Sequence, residues 1–371
     1  HAAEEAVAAA KEASALDALA ARVTALVDRA GGRLALELAA PPAGLRYRPG
    51  TGEDALEPPL PYAGPEALDY GFSDYSYSGL VNSIEHEGEG RGGADEGDAP
   101  EETLAAPASP GEAVPLASLE MGANVGTFAH AVFEHLDFVT CAPKSGVGTA
   151  FELALEHAER EGLESPTAAA ELFAGALPGI LSTPLGGELG ALSLSQIPVG
   201  DRLDEVDFHL PIDPEGRGWV KARDAAAALG RPTEGLEDKA IRGYVMGSID
   251  LVFRVGHGEG ARYFVADYKS NALGPHLDDY LPAKLAQAVD SHRYWLQAAF
   301  YLLALDRFLA SRLGDAYDYD THCGGALYLF FRGMVGEKSR VDDAHVRGVH
   351  LIRPSGDEMR ALRAVLLGGG R

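Results

Sequence analysis

Asp250, Asp267 and Lys269 are the residues whose types and spacing bear most directly on chemistry. Asp250 sits in Met-Gly-Ser-Ile-Asp-Leu-Val-Phe, a run otherwise built to be buried. An unpaired carboxylate is costly there, so Asp250 must face a cation, a set of donors or a cavity. A structural salt bridge meets that need as well as a reactive site does. Asp267 and Lys269 follow in Val-Ala-Asp-Tyr-Lys-Ser-Asn. Side chains alternate along a strand, so this carboxylate and ammonium project from one face. Such a set suits phosphodiester hydrolysis. Two carboxylates bind a hard divalent cation, which polarises the phosphate and acidifies a bound water. The lysine orients or helps deprotonate that water, or offsets charge on phosphorus. Asp-x-Lys alone arises often by chance. An Asp placed 17 residues earlier, across a hairpin, makes the pattern considerably more specific.

Further candidates lie elsewhere in the chain. His130 and Glu134 are four apart on a helical run, hence on one face. They could supply a metal ligand and its supporting partner, or form a plain surface pair. Imidazole suits manganese or zinc better than magnesium, but no His-Glu-x-x-His is present, which ranks a zinc hydrolase low. Gln297 and Tyr301, also four apart, read as core-edge residues that could support the site or hold a DNA strand through its phosphates. Glu205, beside a strand at 206–210, is one more candidate acid. There is no Gly-x-x-x-x-Gly-Lys-Ser/Thr loop, so the chain should contain no ATP site, and no Gly-x-Ser-x-Gly elbow occurs.

The elements that must position these groups are legible in outline. Strand patterns cover 203–212, 243–255, 261–268 and 324–332, with a turn signal at 256–260 joining the middle two into a hairpin. A helix is expected from about Gly126 with Thr127 as its N-cap and Phe128, Val132, Phe133 and Leu136 as its apolar face. Another covers 146–161, and one long helix runs over 282–313 between Pro282 and Gly314. Strands interleaved with long helices give an α/β class. Upstream, 3–29 reads as a packing helix and 40–68 as irregular connection. Residues 85–114 hold nine acidic residues and one basic, with no apolar cluster, and are expected to be a disordered linker.

Charge divides along the chain. Residues 1–240 contain 15 Lys+Arg and 41 Asp+Glu, a balance of −26; residues 241–371 contain 16 and 15, a balance of +1. Acidity upstream need not repel DNA from a local site, because surface charge is screened over about 8–10 Å. The near-neutral balance downstream implies that affinity would come from bound metal and partner subunits. Two cysteines, Cys141 and Cys323, exclude a disulfide framework or a four-cysteine cluster and suit a reducing cytoplasm. No stretch reaches the roughly 20 apolar residues of a membrane helix. The first residue is His1 rather than Met, as expected of a fragment or a processed chain.

Taken together, the motifs resemble the RecB family. Gly-Thr-Phe-Ala-His130-Ala-Val-Phe-Glu134 is similar to the opening helix of its nuclease domain. Arg242 to Arg254, then Asp267-Tyr-Lys269-Ser-Asn, resembles its PD-(D/E)xK core. Gln297-Ala-Ala-Phe-Tyr301 resembles its Gln-x-x-x-Tyr motif, Gly324 to Gly333 the strand that follows, and Ser76-Tyr-Ser-Gly-Leu the junction into the domain. The resemblance implies a restriction-endonuclease-like core: a central mixed sheet flanked by helices, with an N-terminal helical and linker segment. It implies magnesium, with manganese as an alternative, held by His130, Asp250, Asp267 and the Tyr268 carbonyl, and a catalytic Lys269. It implies a tail of the helicase portion over 1–70, a linker over 71–119 and the nuclease domain over 120–371. DNA ends and unwound single strands, RecC, RecD and an upstream helicase region are the implied partners, in a bacterial cytoplasm. A catalytically inactive nuclease fold acting as scaffold, and a stand-alone exonuclease, are the competing readings.

Overall fold

Apolar runs build the strands of the site, and Cys323–Phe330 is buried throughout. In the computed structural model the described residues are 73–76, 111–141, 147–212, 220–231, 233, 240–241 and 243–367. All belong to the unit Asp69–Arg371. The helix expected at 3–29, the connection at 40–68 and most of the acidic linker lie outside them.

Six strands form one mixed sheet: β1 (Ser73–Ser76), β2 (Arg202–Ile212), β3 (Gly243–Val255), β4 (Arg262–Lys269), β5 (Cys323–Phe330) and β6 (Val349–Ile352). β2 lies antiparallel to β3 along its length. β4 pairs antiparallel with Leu251–Val255 of β3, and β1 pairs parallel with Gly243–Met246. β4 and β5 are parallel, and β6 closes the order antiparallel to β5. The mixed sheet expected from the sequence, with its central hairpin, is therefore present.

Helices cover both faces. α1 (Ala123–His135), α2 (Val147–Arg160) and α3 (Pro166–Ser182) share one core with Leu251, Phe253, Phe264, Ala266, Tyr268 and Leu327. α4 (Pro282–Ser291), α5 (Tyr294–Leu313) and α6 (Gly356–Leu366) share the other with Val245, Ile249, Val265, Ala326 and Tyr328.

Three expectations need correction. α1 starts at Ala123 behind Gly122, and Thr127 is inside the helix, its hydroxyl donating to the Ala123 carbonyl at 3.2 Å rather than capping. The run 282–313 is two helices, because Arg293 adopts the left-handed region (φ 55°). The break lets α4 pack on β6 while α5 lies on β5. Finally, packing begins before residue 120: Val114, Leu116 and Leu119 are buried although they fall within the linker expected over 71–119. α3, β6 and α6 were not anticipated. α6 carried a readable signal, a capping box between Ser355 and Glu358.

The segment at 111–120 is tied down by Arg332, a buried guanidinium. It donates to the carbonyls of Ser270 (2.7 Å), Leu116 (2.9 Å), Leu119 (3.1 Å) and Glu120 (2.7 Å). It thus joins the end of β4 to the chain entering α1. Arg332→Ala is expected to cost about 3 kcal/mol, because it leaves several buried acceptors without a donor. A urea midpoint unchanged from the parent would contradict this.

Candidate functional site

The site forms where the sheet parts. Pairing between β3 and β4 ends at Leu251–Ala266, and β1 takes up β3 only at Met246, so Gly247–Asp250 lies between the two pairings. Instead of a ladder bond, the Asp250 carboxylate accepts the Tyr268 amide at 2.7 Å. Residues two apart on a regular strand face the same way, yet Ile249 packs in one core and Leu251 in the other. β3 therefore turns over at Asp250. Directly opposite on β2, Glu205 has φ 47°, a strained conformation for a residue with a Cβ. Two carboxylates are thus presented at one level of the sheet by a local departure from strand geometry.

α1 supplies the imidazole. Val125, Phe128, Val132 and Phe133 anchor the helix in the core, and the Phe133 ring stacks on Tyr268 at 4.2 Å. His130, three residues earlier and so on a neighbouring part of the same face, has Nε2 2.8 Å from the Tyr268 carbonyl and Nδ1 3.5 Å from Asp250 Oδ1. Ligand-capable atoms of His130, Glu205 and Asp250 all fall within 4.8 Å of one another. Glu205 also accepts from the Ser248 hydroxyl at 3.0 Å. Burial pushes the Asp250 carboxyl well above the ordinary carboxylate range; Asp267 and Glu205 push it further, against the opposing effect of His130. Burial likewise raises Glu205. Crowded, desolvated carboxylates of this kind are characteristic of functional sites.

Asp267 and Lys269 leave β4 toward the other helical layer. Lys269 Nζ is 2.8 Å from Asp267 Oδ2 and 3.3 Å from Gln297 Oε1 of α5, and both members of the ion pair are almost fully buried. The Gln297 amide in turn donates to the Tyr301 hydroxyl at 3.0 Å.

Relatives named RecBCD enzyme subunit RecB match this chain. That of Mycobacterium tuberculosis is 36% identical over 81% of this chain and 30% of its own length, and that of Mycolicibacterium smegmatis 34% over 81% and 29%. That of Escherichia coli is 37% identical over 63% of this chain and 18% of its own length. No protein-family model matches. The chain belongs to the RecB family. It spans about 30% of the length of the first of these relatives.

Within this RecB-family chain the structure brings together His130, Glu205, Asp250, Asp267, Tyr268, Lys269, Gln297 and Tyr301. Glu134 stands apart: it is exposed, and its carboxylate lies 3.7 Å from His135 Nδ1, while Asp250 is the carboxylate beside the His130 ring. Gln297 and Tyr301 are both buried, Gln297 accepting from Lys269 and donating to Tyr301. Two further residues lie beside Lys269 that the sequence reading did not single out, Tyr294 and Tyr328. The available signal was a tyrosine in the all-apolar strand Ala-Leu-Tyr-Leu-Phe, since a buried hydroxyl requires a partner. Among the described residues no helix is long and apolar enough to cross a membrane.

Proposed function

We propose that this chain is the metal-dependent DNA nuclease module of a RecBCD-type helicase–nuclease, hydrolysing phosphodiester bonds of unwound strands during double-strand-break processing. The observation that carries this reading is the meeting of His130, Glu205 and Asp250 with the Asp267–Lys269 pair at one fork of the sheet. Membership of the RecB family supports it.

The residues fit a divalent cation. His130, Glu205 and Asp250 bring ligand-capable atoms within 4.8 Å of one another, and Asp267 and Glu205 both raise Asp250, a crowding of carboxylates that a bound cation would relieve. The His130 Nε2 and Tyr268 carbonyl oxygen are 2.8 Å apart, close to the roughly 3 Å spacing of neighbouring ligands around a cation with 2.0–2.1 Å bonds. His130, Asp250, Asp267 and the Tyr268 carbonyl would hold it, with Glu205 as an additional ligand. Oxygen-rich ligation suits magnesium, and the imidazole makes manganese an alternative. A cation held there would supply positive charge to a phosphate oxygen and lower the pKa of a water. Lys269 orients the attacking water and offsets charge on phosphorus. Asp267 fixes its ammonium, and Gln297 and Tyr301 brace it from below. An upstream helicase region, RecC and RecD belong to the same proposal, in a cytoplasmic setting. The relatives' designation as a RecBCD enzyme subunit supports the assembly with RecC and RecD.

The test is degradation of labelled single-stranded and linear duplex DNA with magnesium or EDTA. Magnesium-dependent cleavage of single strands, stopped by EDTA, is expected. Cleavage that persists in EDTA would overturn the assignment. Cleavage seen only with helicase and RecC present would leave the chemistry here and assign DNA access to the partners. No cleavage under either condition would favour the scaffold reading.

A further inference from the structure

Lys269 is held more tightly than an ion pair with Asp267 requires. Its Nζ lies 4.0 Å from the centroid of the Tyr294 ring and 5.6 Å from that of Tyr328. The two rings stack on each other at 5.3 Å with planes 10° apart. The Tyr328 hydroxyl shares its proton between the Tyr294 carbonyl at 2.7 Å and Gln297 Oε1 at 3.1 Å. The Gln297 Nε2 donates to Tyr301, so the amide cannot turn over without losing that bond, and its oxygen stays directed at Lys269. Tyr328 is fully buried in a strand whose neighbours include Phe330. Packing alone would be met by phenylalanine; the hydroxyl is what the site adds.

We propose that Tyr328 and Tyr294 are positioning residues for the reaction: Tyr328 fixes the Gln297 amide through its hydroxyl, and Tyr294 supports the Lys269 ammonium on its ring face. The physical need is clear. A lysine side chain has four rotatable bonds and about 2 kcal/mol of rotamer entropy, and an ammonium is useful only where it meets the reacting phosphate. Hydrogen bonds from below and a ring face beside it restrict it to one place. The left-handed Arg293 serves this arrangement, since the new helix it starts opens on Tyr294. This inference rests on Lys269 being the catalytic lysine.

Tyr328→Phe keeps the ring and its stacking and removes only the hydroxyl. It is expected to lower kcat about tenfold, the effect of one ordinary hydrogen bond, with KM for single-stranded DNA unchanged. In a Lys269→Ala background the same substitution should change the rate by less than about twofold. An equal loss in both backgrounds, or none in the parent, overturns the inference and leaves the site intact. A parent-like rate in Lys269→Ala overturns the catalytic lysine itself. A second readout needs no cleavage. With 15N-lysine labelling, the Lys269 ammonium signal should be displaced by the Tyr294 ring current and vanish in Lys269→Ala. It should broaden or move in Tyr328→Phe and lose the displacement in Tyr294→Leu. A signal unchanged in both tyrosine variants overturns the inference.

Discussion

Lys269→Ala is expected to slow single-turnover cleavage of single-stranded DNA by about 10²–10³, the usual consequence of removing one preorganised charge-stabilising group. The ammonium is almost fully buried, 2.8 Å from Asp267 Oδ2. It therefore contributes little to holding the body of a DNA strand, and KM should stay near its parent value while kcat falls. Lys269→Arg should not restore the rate. A planar guanidinium is larger than the ammonium that sits 4.0 Å from the Tyr294 ring centroid and 3.3 Å from Gln297 Oε1, and cannot place a point charge where Nζ sits. Asp267→Ala should lose at least as much, since it removes both the partner of the ammonium and a proposed ligand. A parent-like rate in either alanine variant would sink the assignment. A thermal melt of each separates lost chemistry from lost folding.

How far the sequence disclosed this site depends on which physical rule each residue obeys. Asp250, Asp267 and Lys269 stood out because charge in an apolar strand is costly, and that cost can be read without coordinates. The hairpin that joins them was legible for a similar reason, an alternating pattern around a glycine-rich turn. Glu205 was barely visible, because what makes it part of the site is a backbone torsion of 47° and a register that sets it opposite Asp250. Neither is written in local composition. Glu134 was read by helix spacing alone. Spacing gives the face but not the rotamer, and the carboxylate turned to His135. The break at Arg293 was hidden too, since the run through it is helical in pattern and only the packing of α4 on β6 and α5 on β5 requires two axes. Arg332 escaped notice because its partners are backbone carbonyls, three of the four from a segment more than 200 residues away in the chain.

A divalent cation should stabilise the folded chain, and more so as pH rises. The folded carboxyl of Asp250 is held well above its ordinary value by burial, and Glu205 is raised for the same reason. In the unfolded chain such groups titrate near about 4. Without a cation, the folded state therefore retains protons that the unfolded state releases. The stability this contributes is complete below about pH 4 and is lost as pH rises through the raised folded values. A cation competes with those protons, so its own contribution is small in acid and grows toward alkaline pH. At a hundredfold excess over Kd it amounts to about 2.7 kcal/mol, or roughly 5 °C in melting temperature. Manganese at pH 8 is expected to give a shift of that size, EDTA to reverse it, and pH 5 to shrink it. Asp250→Asn keeps an oxygen for the Tyr268 amide but removes the charge. It should raise the cation-free melting temperature at pH 8, abolish the manganese shift and reduce cleavage by about 10² or more. A shift of full size in that variant would place the cation elsewhere in the chain, and the fork between β3 and β4 would then hold buried carboxylates for a reason other than metal.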